Sequence, residues 1–287
     1  MPQRAERLIF MDIMKILFPV LIIGGMGLVF GSLLAVAAKV FAVKVDEKIP
    51  KILECLPGAN CGGCGFAGCS ACAEAIAKGE AAVTACPGGN SEKIAEIMGA
   101  ASEKTAKRVA YVRCGGDCDA AKTKYIYKGA RDCTAAAKLG GGAKMCAYGC
   151  LGLGSCVAVC PTGAISLEHG IAKVDRDKCI ACGKCVKECP KGVISIVGYD
   201  GAFAVACASR DKGKVVRTVC QNGCIGCGLC AKVCLSGAVE VKDNVASIDT
   251  DKCANCGMCA EKCPQKVIVK FRLPEEETVG EFVRIEK

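Results

Sequence analysis

The sequence predicts a multidomain α+β chain: one N-terminal membrane-spanning helix, a small cysteine-rich domain, and two tandem copies of a second cysteine-rich domain. Three observations predict it. Residues 16–38 form an uncharged apolar run, 27 of 287 residues are cysteine, and most of those cysteines recur at a fixed offset. Cysteine at 27 of 287, roughly 9%, lies far above ordinary usage. Five Tyr, eight Phe and no Trp leave little material for a large core, and His169 is the only histidine. This composition excludes His-rich catalytic chemistry and argues against a conventional enzyme with a deep substrate pocket.

The apolar run ILFPVLIIGGMGLVFGSLLAVAA is closed by Lys15 on one side and by Lys39 and Lys44 on the other. It is long enough to cross a bilayer and too long for the apolar core of a cleaved signal peptide. Gly27 and Gly31 have the spacing that admits a second helix at close range. The expected anchor domain is 1–45, with its helix at about 16–38. Lysines and arginines flank both ends, so charge bias does not orient the helix. A reduced, thiol-rich chain does, placing everything after residue 45 on the cytoplasmic side of the cytoplasmic membrane in a single-pass arrangement.

A domain at 46–110 follows, opening on a short amphipathic lead, DEKIPKIL. Cys61-Gly-Gly-Cys64-Gly-Phe-Ala-Gly-Cys69 sets three thiols within nine residues, and Cys86-Pro87 returns after a helix expected at 70–78. Glycines between the thiols let backbone N–H groups turn toward sulfur, a 4Fe–4S arrangement. Zinc is the alternative for four cysteines. Cys55 and Cys72 read as buried thiols. Gly63, Gly65 and Gly68 fit a dinucleotide-binding pattern only by coincidence, because cysteines interleave them. A helical segment is expected over 91–112, capped by Asn90 or Ser91.

Adding 74 to Cys133, Cys146, Cys150, Cys156, Cys160, Cys179, Cys182, Cys185 and Cys189 lands on cysteine every time, from Cys207 to Cys263. The expected boundaries are a connecting segment at 111–132, modules at 133–206 and 207–270, and an acidic tail at 271–287 containing Pro274-Glu275-Glu276-Glu277. Cys179-x2-Cys182-x2-Cys185-x3-Cys189-Pro190 is the bacterial ferredoxin run, repeated from Cys253 to Cys263-Pro264 and, without the proline, from Cys224 to Cys234. In such runs three thiols hold one cubane and the fourth crosses to its neighbour. Expected quartets are therefore Cys179, Cys182, Cys185 with Cys160; Cys224, Cys227, Cys230 with Cys263; and Cys253, Cys256, Cys259 with Cys234. Strands are expected at 164–167 and 193–196.

Leu153 stands where Cys227 has its counterpart. Cys150, Cys156 and Cys189 then need a substitute, for which Cys146 is the expectation and a three-iron cluster the alternative. A sixth cluster is expected from Cys114, Cys118, Cys133 and either Cys207 or Cys220, giving five to six 4Fe–4S clusters with six favoured. Each cubane with four thiolates carries about −2, so six would turn the formal +9 into roughly −3 and remove the case for nucleic-acid binding.

The apolar anchor, Asn60-Cys61-Gly-Gly-Cys64-Gly-Phe-Ala-Gly-Cys69 with Cys86-Pro87, and the trailing ferredoxin runs together resemble the B-subunit family of the Rnf complex, in its extended form with two ferredoxin modules. The resemblance implies an electron-transfer subunit of an ion-translocating ferredoxin:NAD oxidoreductase. Such a subunit takes electrons from soluble reduced ferredoxin and passes them to the other membrane and peripheral subunits, where NAD chemistry and ion movement reside. Alternative readings are a tethered polyferredoxin of another redox complex, such as a hydrogenase, and an electron donor to a redox-sensing regulator.

Overall fold

The computed structural model describes residues 2–40, 46–100 and 106–270, with side chains from residue 21 onward. The expected acidic tail, including Pro274–Glu277, and Lys44 lie outside the described residues. The chain divides into two units, Met1–Asp46 and Glu47–Lys287.

The first unit is the helix α1 (Pro2–Val40). Its stretch Leu21–Val40 has mean hydropathy 2.2, and its large side chains are exposed, Leu28 to 78%. Length and composition suffice to cross a membrane.

The second unit opens with three short helices, α2 (Lys48–Glu54), α3 (Cys69–Ala77) and α4 (Ser91–Met98), closed around Ile52, Cys72, Ala73, Ile76 and Ile94. Asn90 caps α4 by accepting the Lys93 N–H at 3.2 Å, and Gly99 ends the helix in the left-handed region at φ 68°. The helix expected over 91–112 therefore stops at Met98. Its last five residues instead form the strand β1 (Arg108–Val112), whose Val109 to Val112 are all buried.

The remainder runs α5 (Cys133–Lys138), α6 (Ser155–Ala158), β2 (Ile165–Glu168), β3 (Ile171–Val174), α7 (Lys184–Glu188), β4 (Ile194–Gly198), β5 (Phe203–Val205), α8 (Gly213–Val219), α9 (Leu229–Lys232), β6 (Val239–Lys242), β7 (Val245–Ile248), α10 (Met258–Glu261) and β8 (Ile268–Lys270). Among the described residues, four antiparallel two-stranded sheets result, β1–β4 and β2–β3, then β5–β8 and β6–β7. Each copy is thus an inner hairpin and an outer strand pair, with short helices carrying the cysteines between them. Small aliphatic side chains wrap the thiols in both: Ile165, Ile171 and Ile194 around Cys150, Cys156 and Cys185, and Val239, Val245 and Ile268 around Cys224, Cys230 and Cys259.

Strand register corrects the expected boundaries. Val112 faces Ile194, and Val205 faces Ile268. Ile194 and Ile268 are 74 apart, but Val112 and Val205 are 93 apart, so the structural partner of Cys207 is Cys114, not Cys133. Cys114 to Cys146 spans 32 residues and Cys207 to Cys220 spans 13, so the first copy carries 19 extra residues there. The expected boundary after residue 110 cuts through β1, the one after 206 strands β5 outside its own copy, and 111–132 belongs to the first copy. Cysteine spacing carries no information on which strand closes a sheet, and so the 74-residue register missed this.

Candidate metal centres

Cys61, Cys64, Cys69 and Cys86 come together at the start of α3. Asn60, at φ 44°, turns the chain and accepts the Cys69 N–H with Oδ1 at 2.8 Å, supplying the cap that Gly68 lacks. Burial pushes the Cys86 thiol up, opposed by the Gly88 N–H, and Cys64, Cys61 and Cys69 act on it as neighbours. Cys72, a turn further along α3, is buried and pushed up to about 12 by desolvation, then by Cys64. Cys55 is half-buried. Added Cβ atoms on Gly63 and Gly88 would meet Cys182 O at 2.6 Å and Ile180 Cβ at 2.8 Å, so these glycines permit the loop at 180–182 to dock.

The ferredoxin runs enclose open spaces. One of about 320 Å³ is ringed by Cys160, Cys179, Cys182 and Cys185. Another of about 350 Å³ is ringed by Cys224, Cys227, Cys230 and Cys263. Backbone N–H groups point at the sulfurs: Ala110 donates to Cys179 and Ala164 to Cys160, each at 3.3 Å, and Asn255 donates to Cys253 at 3.4 Å. Burial pushes Cys185 up to about 11, then Cys179 and Cys182 add to it; Cys259 reaches about 11 by burial and then Cys253. Cys234 is held down by the Ser236 hydroxyl and by N–H groups of the next turn, and repeats Cys160 at the 74-residue offset.

Around Leu153 the arrangement differs from expectation. Burial pushes Cys156 up to about 12, and the thiols acting on it are Cys150, Cys133, Cys189 and Cys185. Cys133, not Cys146, therefore joins Cys150, Cys156 and Cys189. It opens α5 in the inserted segment, with Asp132 as cap. The Cys133 N–H donates to Ser155 Oγ at 2.8 Å, while Ser155 Oγ donates to Asp132 Oδ2 at 3.2 Å. That pair of contacts fastens Cys133 beside Cys156.

Cys146 faces elsewhere. Together with Cys114, Cys207 and Cys220 it rings a space of about 410 Å³, and all four are buried. The group expected there changes accordingly: Cys114 stays, Cys207 and Cys220 both enter, and Cys118 and Cys133 leave. Cys118 is exposed, its N–H on His169 O at 2.9 Å. The Cys150 N–H donates to Cys114 Sγ at 3.3 Å, and the Cys224 N–H reaches Cys207. Burial raises Cys146 and Cys220, and pushes Cys207 up to about 11. Buried Lys144 lines the same space, donating from Nζ to Gly116 O at 2.6 Å and Gly170 O at 3.0 Å. A signal was present in the sequence: Cys146 and Cys220 each precede a run by four residues.

Thiols ringing a space, several of them facing backbone N–H donors, suit a cubane. Thiols of successive groups also act on one another: Cys61 on Cys182, Cys185 on Cys156, Cys114 on Cys150, Cys224 on Cys207, and Cys230 on Cys259.

Comparison with known proteins agrees with this chemistry. An Fe–S cluster family model matches residues 56–87, a 4Fe-4S binding domain 172–195, and a 4Fe-4S dicluster domain 223–267. The chain is 48% identical over 257 residues to the B subunit of the Na(+)-translocating ferredoxin:NAD(+) oxidoreductase complex of Acetobacterium woodii, covering 88% of this chain and 77% of the relative. It is 43% identical over 251 residues to the B subunit of the ion-translocating oxidoreductase complex of Methanosarcina acetivorans, covering 86% and 95%. Against the B subunit of the proton-translocating ferredoxin:NAD(+) oxidoreductase complex of Clostridium ljungdahlii it is 46% identical over 228 residues, covering 78% and 80%. With its apolar helix and its cysteine-lined 4Fe–4S domains, the chain belongs to the B-subunit family of Rnf-type ion-translocating oxidoreductase complexes.

Proposed function

We propose that this chain takes electrons from reduced ferredoxin and relays them to the other subunits of an ion-translocating complex, from the cytoplasmic side of a single membrane anchor. NAD chemistry and ion movement fall to those partners. Two tandem ferredoxin modules and the smaller domain before them hold at least five 4Fe–4S clusters. Their ligands are Cys61, Cys64, Cys69 and Cys86; Cys160, Cys179, Cys182 and Cys185; Cys133, Cys150, Cys156 and Cys189; Cys224, Cys227, Cys230 and Cys263; and Cys234, Cys253, Cys256 and Cys259. Such a cluster, when bound, takes up and returns one electron without any bond being made or broken.

What supports this reading is that thiols of successive groups lie near enough to act on one another electrostatically, as Cys61 does on Cys182, Cys185 on Cys156 and Cys230 on Cys259, with Gly63 packed on the Cys182 backbone. The protein's own part is positioning and tuning. N–H groups aimed at sulfur, such as Ala110 on Cys179, stabilise the added negative charge, while the aliphatic shell around Cys156 and Cys230 excludes water and opposes it. Because burial raises these thiols, loading them with iron releases protons.

The test is anaerobic mixing of the iron-loaded full chain with reduced ferredoxin, followed by visible absorbance. Bleaching on mixing is expected. A chain that carries iron and sulfide yet stays oxidised would sink the relay reading.

A further inference from the structure

We propose that the basic, partly apolar face built by residues 122–145 and α8 is the docking surface for the reduced ferredoxin that supplies the electrons. The inference rests on the relay reading for its donor and adds where that donor lands.

The face begins as a short ladder in the segment that only the first module carries. Thr123 bridges Lys144, the Lys124 N–H meets Ala143 O at 2.7 Å and the Met145 N–H meets Lys122 O at 2.8 Å, so 122–124 and 143–145 run side by side. Strand alternation turns Lys144 inward, where it is buried, and Met145 outward. The Tyr125 hydroxyl donates to Leu139 O at 2.7 Å and Lys124 Nζ to Gly140 O at 3.1 Å, which ties the ladder to the end of α5. On its other side the Lys122 N–H donates to Val219 O at 3.0 Å, at the end of α8.

Charge on this face has one sign. Between residues 122 and 145 every exposed charged side chain is basic: Lys122, Lys124, Lys128, Arg131 and Lys138. Asp132, the one acid in that stretch, is engaged by the Ala135 N–H and the Ser155 hydroxyl. The exposed charges of α8, Lys214 and Arg217, are basic as well. Large apolar side chains stand among these cations, Ile126 at 85% exposure and Leu139 at 58%, with Tyr125 and Met145. Apolar contacts within a rim of like charge make a protein-binding surface, and the rim selects an acidic partner. A ferredoxin has that character, because each cubane with four thiolates brings about −2.

The face also lies against a quartet. Cys133 opens α5 within it. Lys191, two residues after Cys189, donates from Nζ to Ala147 O at 2.7 Å, and its charged neighbours are Lys124, Cys146 and Cys189. A donor seated on Lys124 is therefore close to the quartet of Cys133, Cys150, Cys156 and Cys189. The transfer oxidises the donor's cluster by one electron and reduces this quartet's by one, with no proton or bond transferred. The second module lacks the ladder, and at the place of Lys191 it has Gln265.

The test is stopped-flow bleaching of the iron-loaded, detergent-solubilised full chain by a reduced bacterial two-cluster ferredoxin. Added salt should slow the wild-type reaction. At low salt, the combined reversal Lys124→Glu, Lys128→Glu and Lys138→Glu should slow it about tenfold. An equal reversal on the second module, at exposed Lys232, Lys262 and Lys270, should slow it less than about twofold. Photoreduced deazaflavin, a small reductant that needs no docking surface, should bleach all three proteins alike. Unchanged speed in the first variant, or equal slowing in the second, overturns the surface while leaving the relay intact. If the first variant loses its iron, the wild type decides: a rate indifferent to salt overturns the surface. A wild-type chain that ferredoxin leaves oxidised sinks the relay reading, and the surface with it.

Discussion

In the second module, Cys224, Cys227 and Cys230 come from one short run of the chain; in the first, Leu153 stands at the middle position, and Cys133 comes in from an inserted helix. The inner hairpins and the outer pairs are otherwise alike, with β2–β3 repeating β6–β7 and β4 repeating β8 at the same offset. The difference teaches that this fold constrains where sulfur must stand, not which segment delivers it. Delivery from a distance needs fastenings that the loop does not. The first module has them in Asp132 and Ser155, which hold Cys133, and in buried Lys144. At the place of Lys144 the second module has Thr218, whose hydroxyl bonds only within α8, to Val215 O at 2.7 Å.

The sharpest way to break the comparison is Cys133→Ala, which should remove about four iron atoms, one cubane. Adding Leu153→Cys to that variant restores the second module's pattern and should restore the iron, read by colorimetric iron and sulfide assay. Full iron in Cys133→Ala alone would return the role to another thiol. Lys144→Met should come next: two buried carbonyls lose a charged donor, costing about 3 kcal/mol. Thermal melting of the loaded protein should show a clear drop there and little change in Thr218→Val; equal shifts would end the claimed asymmetry.

Asn60→Ala removes the side-chain cap on Cys69 and should cost about 1 kcal/mol by the same measurement. At the small end is Arg108→Ala, which breaks the 3.1 Å pair with Asp251 between the modules. Both side chains are more than half exposed, so the loss should be below about 1 kcal/mol and vanish in high salt. A large effect would mean that surface charge, rather than the buried thiol chamber, joins the copies.

Much of this was legible in the chain itself. The apolar run became the long helix, Asn90 capped α4, and the strands expected at 164–167 and 193–196 appeared as β2 and β4. Local patterns suffice for local structure: helix length, a cap three residues from its donor, thiols three apart on one turn. Expectation failed where the answer lay far along the chain. Gly99 ended a helix whose continuation looked helical, and Cys133, matched to Cys207 by arithmetic, packed with Cys156 instead.

By itself, then, the sequence determined the apolar helix, the short strands after the cysteine runs, the repeat and the thiol chemistry, because these depend on neighbours within a turn or a loop. Tertiary structure alone decided that β1 closes the first module, that Cys133 lies beside Cys156, and that Cys146 lines one space with Cys114, Cys207 and Cys220. Strand pairing and the burial of thiols join residues far apart in sequence, 106 positions for Cys114 and Cys220, and such partners are chosen by packing and backbone hydrogen bonding rather than by spacing.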